Sequence, residues 1–318
     1  MISRQSGKGN TIGLCAQISV WALMIVLPIY LAYQLIPQDN HSLGRDLIRQ
    51  PAGQLITAKS RTALKALFDR QDYLLSEVRR QKKSVPRLFL KKLPNDLNEE
   101  KNIGLKKSLF IRAVLPLILR VNERIVADRA RVLAISKNLN EGKPVKKDEI
   151  VWLTMLSEKY GFSYNDPKKL LVRLDVIPVS LALAQSIQES GWGTSRFARQ
   201  GNALFGQRTW SSESVGMLPE AIEEDAGFKV KSFSKLYDSI QAYAHNLNTN
   251  NSYQYFRARR ATLRGNQNLN GYALTGALLA YSEEAEDYIS AIQVVIKSNR
   301  LQDFDGVRLS DDRADQRS

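Results

Sequence analysis

A chain of 318 residues with a formal charge of +14 has room for one or two globular domains, and its basic balance favours polyanionic partners. Hydrophobic residues at 43% and charged residues at 25% permit a packed core and exclude wholesale disorder. Cys15 is the single cysteine and His41 and His245 the only histidines, so a disulfide framework and a thiolate or typical zinc centre are excluded. No zinc-finger spacing, helix-turn-helix register or RNP-type aromatic motif occurs, and no nucleic-acid partner is read from the charge.

From Thr11 to Pro37 no residue is charged. The run 12–36 has the length of a helix that crosses a hydrocarbon core. Arg4 and Lys8 precede it, and Tyr30 and Tyr33 stand near its far end, where an interfacial aromatic belt lies. The run exceeds a signal-peptide core and no Ala-x-Ala site follows, so an uncleaved single-pass anchor is favoured over a cleaved signal. Residues 1–11 are then a cytoplasmic tail, and the rest of the chain is exported. Residues 37–57 mix Pro, Gly and polar residues and read as a linker.

The region 58–165 reads as a helical scaffold. In 58–82, Leu64, Leu67, Phe68, Leu74, Leu75 and Val78 recur at helical spacing among Arg and Lys. A polar stretch follows, with Pro94-Asn95-Asp96 as a turn. Leu105 to Leu139 carries the apolar stripe Leu109, Ala113, Leu117, Val121, Ile125 and Val132; Pro116 predicts a kink or a split. Arg112 and Arg120 interrupt it too often for a second membrane span. It reads as a scaffold helix packed on the C-terminal part, or alternatively as a docking surface. Lys147 to Tyr160 predicts a shorter helix stopped by Gly161.

Residues 166–303 carry the chemistry and are mostly helical. The exception follows Asp225-Ala226-Gly227, where Phe228, Val230 and the run to Tyr237 predict a small β-hairpin. Residues 304–318 read as a flexible tail. The informative segment runs from Asp175 to Gly193. Asp175 or Ser180 suits a helix start and Pro178 a first turn, Leu181, Ala184 and Ile187 form a buried face, and Gly191 and Gly193 stop the helix. Glu189 falls in the last turn, where unpaired carbonyls disfavour an anion. With Trp192 nearby to desolvate it, its pKa is expected to rise. That is the property of a carboxyl that protonates a leaving glycosidic oxygen near neutral pH.

The segment Ala184-Gln185-Ser186-Ile187-Gln188-Glu189-Ser190-Gly191-Trp192-Gly193, followed by Leu204-Phe205-Gly206, resembles the glucosaminidase superfamily. This is glycoside hydrolase family 73 (the mannosyl-glycoprotein endo-beta-N-acetylglucosaminidase-like proteins), related in its α-lobe to lysozymes and lytic transglycosylases. Within it the chain is most similar to the Bax-type bacterial proteins. That closer likeness rests on Val85-Pro86-Arg87 with Leu93-Pro94, Leu115-Pro116 with Arg120-Val121-Asn122-Glu123, Asn246-Leu247-Asn248-Thr249 and Tyr281-Ser282-Glu283. It spans about residues 84–302.

The resemblance implies a mainly α fold. A lysozyme-like α-lobe and a small β-hairpin lobe would flank a glycan cleft, preceded here by the helical scaffold and the N-terminal transmembrane helix. It implies Glu189 as general acid and a second carboxylate a few residues before a hairpin glycine. By spacing to Gly227 that is Glu223, then Glu224. It implies a tyrosine near the acid, placed at Tyr281 and suited to orienting a substrate acetamido group. Tyr243 is a further cleft candidate. Where the family commonly has Asn before Leu-Phe-Gly this chain has Ala203, with Asn202 adjacent and Gln207 as a substitute.

Trp192, Asn202, Phe205, Gln207 and Tyr243 are the expected substrate-binding residues. Trp210 is a candidate stacking surface. Arg196, Arg199 and Arg208 are candidates for the carboxylates of muramyl peptides, and His245 reads as structural. The implied activity is hydrolysis of N-acetylglucosaminyl β-1,4 bonds in peptidoglycan. A lytic transglycosylase and a non-catalytic peptidoglycan-binding envelope protein are the alternatives. No metal or nucleotide cofactor is implied. The expected location is the inner membrane of a Gram-negative bacterium, with the catalytic part in the periplasm.

Overall fold

A computed structural model describes residues 53–162, 166–211, 213, 215–218, 228–282 and 285–311. The expected tail 1–11, the anchor 12–36, most of the linker, and the acidic loop with Glu223 and Glu224 lie outside the described residues. Among the described residues no helix is long and apolar enough to cross a membrane.

The first described element is β1 (Gln54–Ile56), which pairs in parallel with β2 (Leu88–Leu90). The linker therefore ends earlier than its composition suggests: Ile56 is buried and the strand is held by its partner. Between them the expected helical pattern of 58–82 forms two helices. Helix α1 (Arg61–Arg70) is capped by the Ser60 hydroxyl, which accepts from the Ala63 amide at 3.1 Å. A reversal with Asp72 at φ 47° separates it from α2 (Leu75–Arg79).

The central element is α3 (Ile103–Asn140), capped by Asn102, whose side chain accepts from the Leu105 amide. It buries the whole predicted stripe. Pro116 does not split it. From Leu109 to Leu119 every side chain is buried, Arg112 included, because β2, α6 (Val179–Ser190) and α8 (Leu236–Thr249) pack around this stretch. A proline in a helix interior costs about 3 kcal/mol, less than several buried apolar side chains contribute. The scaffold helix is thus one wall of the site-bearing body.

Helix α4 (Lys147–Lys159) ends as expected, with Gly161 at φ 74°. After it come α5 (Pro167–Arg173), α6 and α7 (Arg196–Gly201). The β-lobe is a three-stranded antiparallel sheet, not a hairpin. Its strands β3 (Arg208–Thr209) and β4 (Gly216–Met217) both pair with β5 (Lys229–Lys231), which lies between them. The predicted strand stops early because Leu236 and Tyr237 open α8. Then follow α9 (Gln254–Gly265), the short α10 (Gly271–Leu274) and α11 (Ala285–Ser298).

Residues that carry the closer resemblance act as ties. Arg87 grips Glu123 with two hydrogen bonds of 3.0 and 2.6 Å. Asn122 accepts from the Ile177 amide at 3.2 Å and donates to the Ile177 carbonyl at 2.7 Å, fixing the turn before α6. Asp175 does not cap α6. It receives Arg264 in that turn. Beside it the fully buried Arg260 donates to the carbonyls of Asp175, Val176, Val172 and Arg173 and, at 2.6 Å, to Asn248 Oδ1. Arg260→Met is expected to leave these acceptors unsatisfied and destabilise the fold by roughly 3 kcal/mol, read as a lower urea midpoint with unchanged slope.

The start of α6 is capped from far along the chain. Asp305 accepts from the Ser180 amide at 2.8 Å and the Ser180 hydroxyl at 2.7 Å, while Pro178 occupies the N-cap position. The tail expected to be flexible from residue 304 therefore packs as far as Ser310. Phe304, Val307 and Leu309 are buried, and Val85 bonds to Arg308 and Ser310 like a short strand.

Candidate active site

Glu189 stands in the last turn of α6, and the Glu-Ser-Gly-Trp-Gly sequence is explained by how that turn is closed. Gly191, Trp192 and Gly193 all adopt positive φ, at 56°, 59° and 75°. Two of these are glycines, for which that backbone carries no steric penalty. Ser190 holds the reversal: its hydroxyl donates to the Ser186 carbonyl and accepts from the Gly193 amide at 2.8 Å. A β-carbon at Gly193 would lie 2.5 Å from Leu93 Cδ1, so only glycine lets this turn sit against the scaffold. The carboxyl beyond it is thereby set at a fixed helix end.

Glu189 opens into a cleft of about 900 Å³, at the upper end of the range for ligand pockets. Phe205, Gly206, Gln207, Arg208 and Trp210 line it, together with Tyr243, Asn246, Tyr253, Tyr281 and Tyr288. Burial raises the Glu189 pKa, and the hydrogen bond from Tyr288 opposes that rise only in part. The predicted shift is present, but Trp192 is not its cause. Its ring packs edge-on to Phe110 at 6.0 Å and under the Lys107 ammonium, outside the cleft lining. Trp192 is a scaffold anchor here, not a sugar platform.

A directional hydrogen-bond chain ends at the acid. The Tyr243 hydroxyl donates to Gln185 Oε1 at 2.5 Å, Gln185 Nε2 donates to the Tyr288 oxygen at 3.0 Å, and the Tyr288 hydroxyl donates to Glu189 Oε1 at 2.9 Å. Each hydroxyl has one proton, so this order commits both hydroxyl donors. Oε1 is an acceptor, and a proton on the carboxyl belongs on Oε2. That oxygen faces the Leu-Phe-Gly segment, since a β-carbon on Gly206 would stand 3.6 Å from it. Tyr243, Tyr281 and Tyr288 all have pKa values raised by burial, with the Glu189 charge adding to the shift, so their hydroxyls stay protonated and able to donate.

The other expected residues divide. Phe205 lies flat on Tyr243 with ring centres 3.8 Å apart, and so both buttresses the chain and lines the cleft. Tyr281 stacks on Tyr288 at 5.2 Å and lines the cleft beside it. Gln207 is in the lining, and its buried Oε1 has no hydrogen-bond partner. Trp210, at 72% exposure, stands at the rim. Asn202 is not in the lining: it is buried in a left-handed turn and donates to the Phe233 carbonyl, fastening α7 to the β-lobe.

Of the three arginines only Arg208 lines the cleft. Arg196 reaches the Leu218 carbonyl and Arg199 the Thr194 carbonyl. Glu223 and Glu224 lie outside the described residues. Among the described cleft residues Glu189 is the one carboxylate.

Sequence reasoning missed Gln185 and Tyr288. Gln185 was visible in principle, four residues before Glu189 and hence on the same helix face. Tyr288 lies 99 residues from the acid and gave no local signal.

Residues 165–301 match the family model for glucosaminidase, described as mannosyl-glycoprotein endo-beta-N-acetylglucosaminidase. The protein bax of Escherichia coli strain K12 is 29% identical over 202 residues, covering 61% of this chain and 70% of its own length. The catalytic domain of the autolysin Auto from Listeria monocytogenes aligns over 54% of this chain and 97% of its own, at 18% identity and a TM-score of 0.32. The matched residues include Glu189, Gln185 and Tyr288, whereas α3 precedes them. Residues 165–301 match the glucosaminidase family, and the chain that carries them is similar to Bax-type, glucosaminidase-like proteins.

Proposed function

We propose that this protein hydrolyses β-1,4 bonds of N-acetylglucosamine in peptidoglycan, with Glu189 as the general acid. The observation that carries the reading is a half-buried carboxyl of raised pKa at a fixed helix end in a long open cleft, inside the residues that match the glucosaminidase family. The family match supports a glycosidase that acts at N-acetylglucosamine.

In this mechanism the proton on Glu189 Oε2 passes to the glycosidic oxygen as the ring carbon gains oxocarbenium character. Tyr288 holds Oε1 and takes up part of the charge left on the carboxylate. The unpartnered Gln207 Oε1 suits the N–H of a substrate acetamido group, and Tyr281 the acetamido plane. Water activated by Glu223 or Glu224 would complete the reaction with inversion. Attack by the acetamido oxygen would complete it with retention. The apolar run 12–36 would anchor the enzyme in the inner membrane with the cleft in the periplasm.

Arg208, the cation in the cleft, would meet carboxylates on the muramyl side of the substrate. Arg208→Gln is expected to raise KM for peptidoglycan fragments a few-fold, as for a partly exposed charge pair, and to leave neutral chitin oligosaccharides unaffected. Release of soluble muropeptides from purified sacculi by the full-length protein tests the proposal. Sacculi bound but never solubilised would replace it with the non-catalytic alternative.

A further inference from the structure

Helix α8 has two lined faces. Tyr243 and Asn246 face the cleft, whereas Tyr237, Gln241, Ala244 and His245 face a separate small cavity against α3 and α4. That cavity has a volume of about 30 Å³, room for about two water molecules or one small polyatomic ion. Arg124 and Asp128 enter it from α3, and Lys159 and Tyr160 from the end of α4.

Its charges are not balanced from within. Burial and the nearby Arg124 both push the Lys159 pKa down, with Asp128 only partly offsetting them. Burial and the Lys159 charge likewise lower His245. Asp128 is itself raised by burial, against Arg124, Lys159 and Arg131, so the lone carboxylate is a weakened counter-ion. The His245 ring is held edge-on to Tyr160 at 5.6 Å, and its buried Nδ1 has no hydrogen-bond partner. A buried polar nitrogen without a partner is rare in folded proteins and marks a place for a missing group.

We propose that this cavity between α3, α4 and α8 binds one small tetrahedral oxyanion of the phosphate type, held by Arg124, Lys159 and the Nδ1–H of His245. An ion with acceptors on every side fits donors that converge from three helices. It removes the repulsion between the cations and gives His245 its partner. Bound there, it ties the end of α4 to α3 and to α8, the helix whose opposite face carries Tyr243. The site is independent of the chemistry assigned to Glu189.

Linkage supplies the test. An anion that accepts from His245 favours its protonated form, so it must move the imidazole titration to higher pH. His41 and His245 are the only histidines, so His41→Gln in the full-length protein leaves one imidazole signal to follow by NMR with histidine labelled at Cε1.

Inorganic phosphate, compared with chloride at equal ionic strength, is expected to move the His245 midpoint to higher pH. Lys159→Met, and separately Arg124→Gln, are expected to abolish the shift while thermal unfolding shows the protein still folded. No shift, or an equal shift in chloride, overturns the proposal and leaves a water-filled cavity. A shift that survives in both variants also overturns it, because the phosphate then binds elsewhere.

Discussion

Glu189→Gln is expected to lower turnover of peptidoglycan by about 100- to 10,000-fold, the range that a positioned general acid contributes. The substitution keeps the shape of the side chain. The amide oxygen still accepts from Tyr288, and the NH2 takes the place of Oε2 toward Gly206. The fold should not suffer. Because burial raises the folded-state pKa of Glu189, the protonated carboxyl favours the folded state and the ionised one opposes it. The stabilisation is present at low pH and is lost as pH rises through the folded pKa. At neutral pH the Gln variant should therefore unfold at the same temperature as the parent or a higher one, with that advantage vanishing in acid. Scanning calorimetry at two pH values, beside the activity assay, reads both effects. Loss of activity together with a lower unfolding temperature at neutral pH would point to a structural role.

Tyr288→Phe acts on the same carboxyl from the other side. The Tyr288 hydroxyl favours the charged form, so its removal should raise the Glu189 pKa further. A general acid works only while protonated. The alkaline limb of kcat/KM should thus move to higher pH in the variant, a change that simple damage to the cleft would not produce. At the optimum the rate should fall about tenfold or more, because a hydrogen bond to a charged group of about 1.5–3 kcal/mol is gone and Gln185 Nε2 loses its acceptor. Tyr281→Phe provides the contrast: its ring supports Tyr288, but its hydroxyl is outside the chain, and the alkaline limb should stay in place. An unmoved limb in Tyr288→Phe would remove the tyrosine from the acid's control.

What could be read from the sequence was what short range decides. Glu189 fell at a helix end because two glycines two residues apart close a turn, and the direction of its pKa shift was anticipated, although burial in the cleft is what raises it. The apolar stripe of α3 was plain because its period is local. Distance along the chain hid the rest. The cap on α6 comes from Asp305, 125 residues from Ser180, so Asp175 and Ser180 looked like the better caps. The packed segment 304–310 looked like a tail because only Phe304, Val307 and Leu309 in it are apolar and its strand-like partner is Val85.

Two of the β-lobe strands have two residues each, too few for alternation to register, which is why only a small hairpin after Gly227 was expected. Pro116 looked disruptive because a proline's local cost is visible in sequence, while the packing that overrides it is not. Trp192 beside Glu189 suggested contact, yet the left-handed turn at residues 191–193 sends its ring to the scaffold. Asn202 stood next to the cleft sequence for the same kind of reason and turned inward.

The most direct test of the account is the chemistry of the new chain ends. Peptidoglycan would be digested with the full-length protein and the fragments identified by mass spectrometry, with Glu189→Gln in parallel. New reducing ends on N-acetylglucosamine, absent in the variant, are the predicted result. Anhydro-muramyl ends would contradict it, because the same acid would then be driving a transglycosylase.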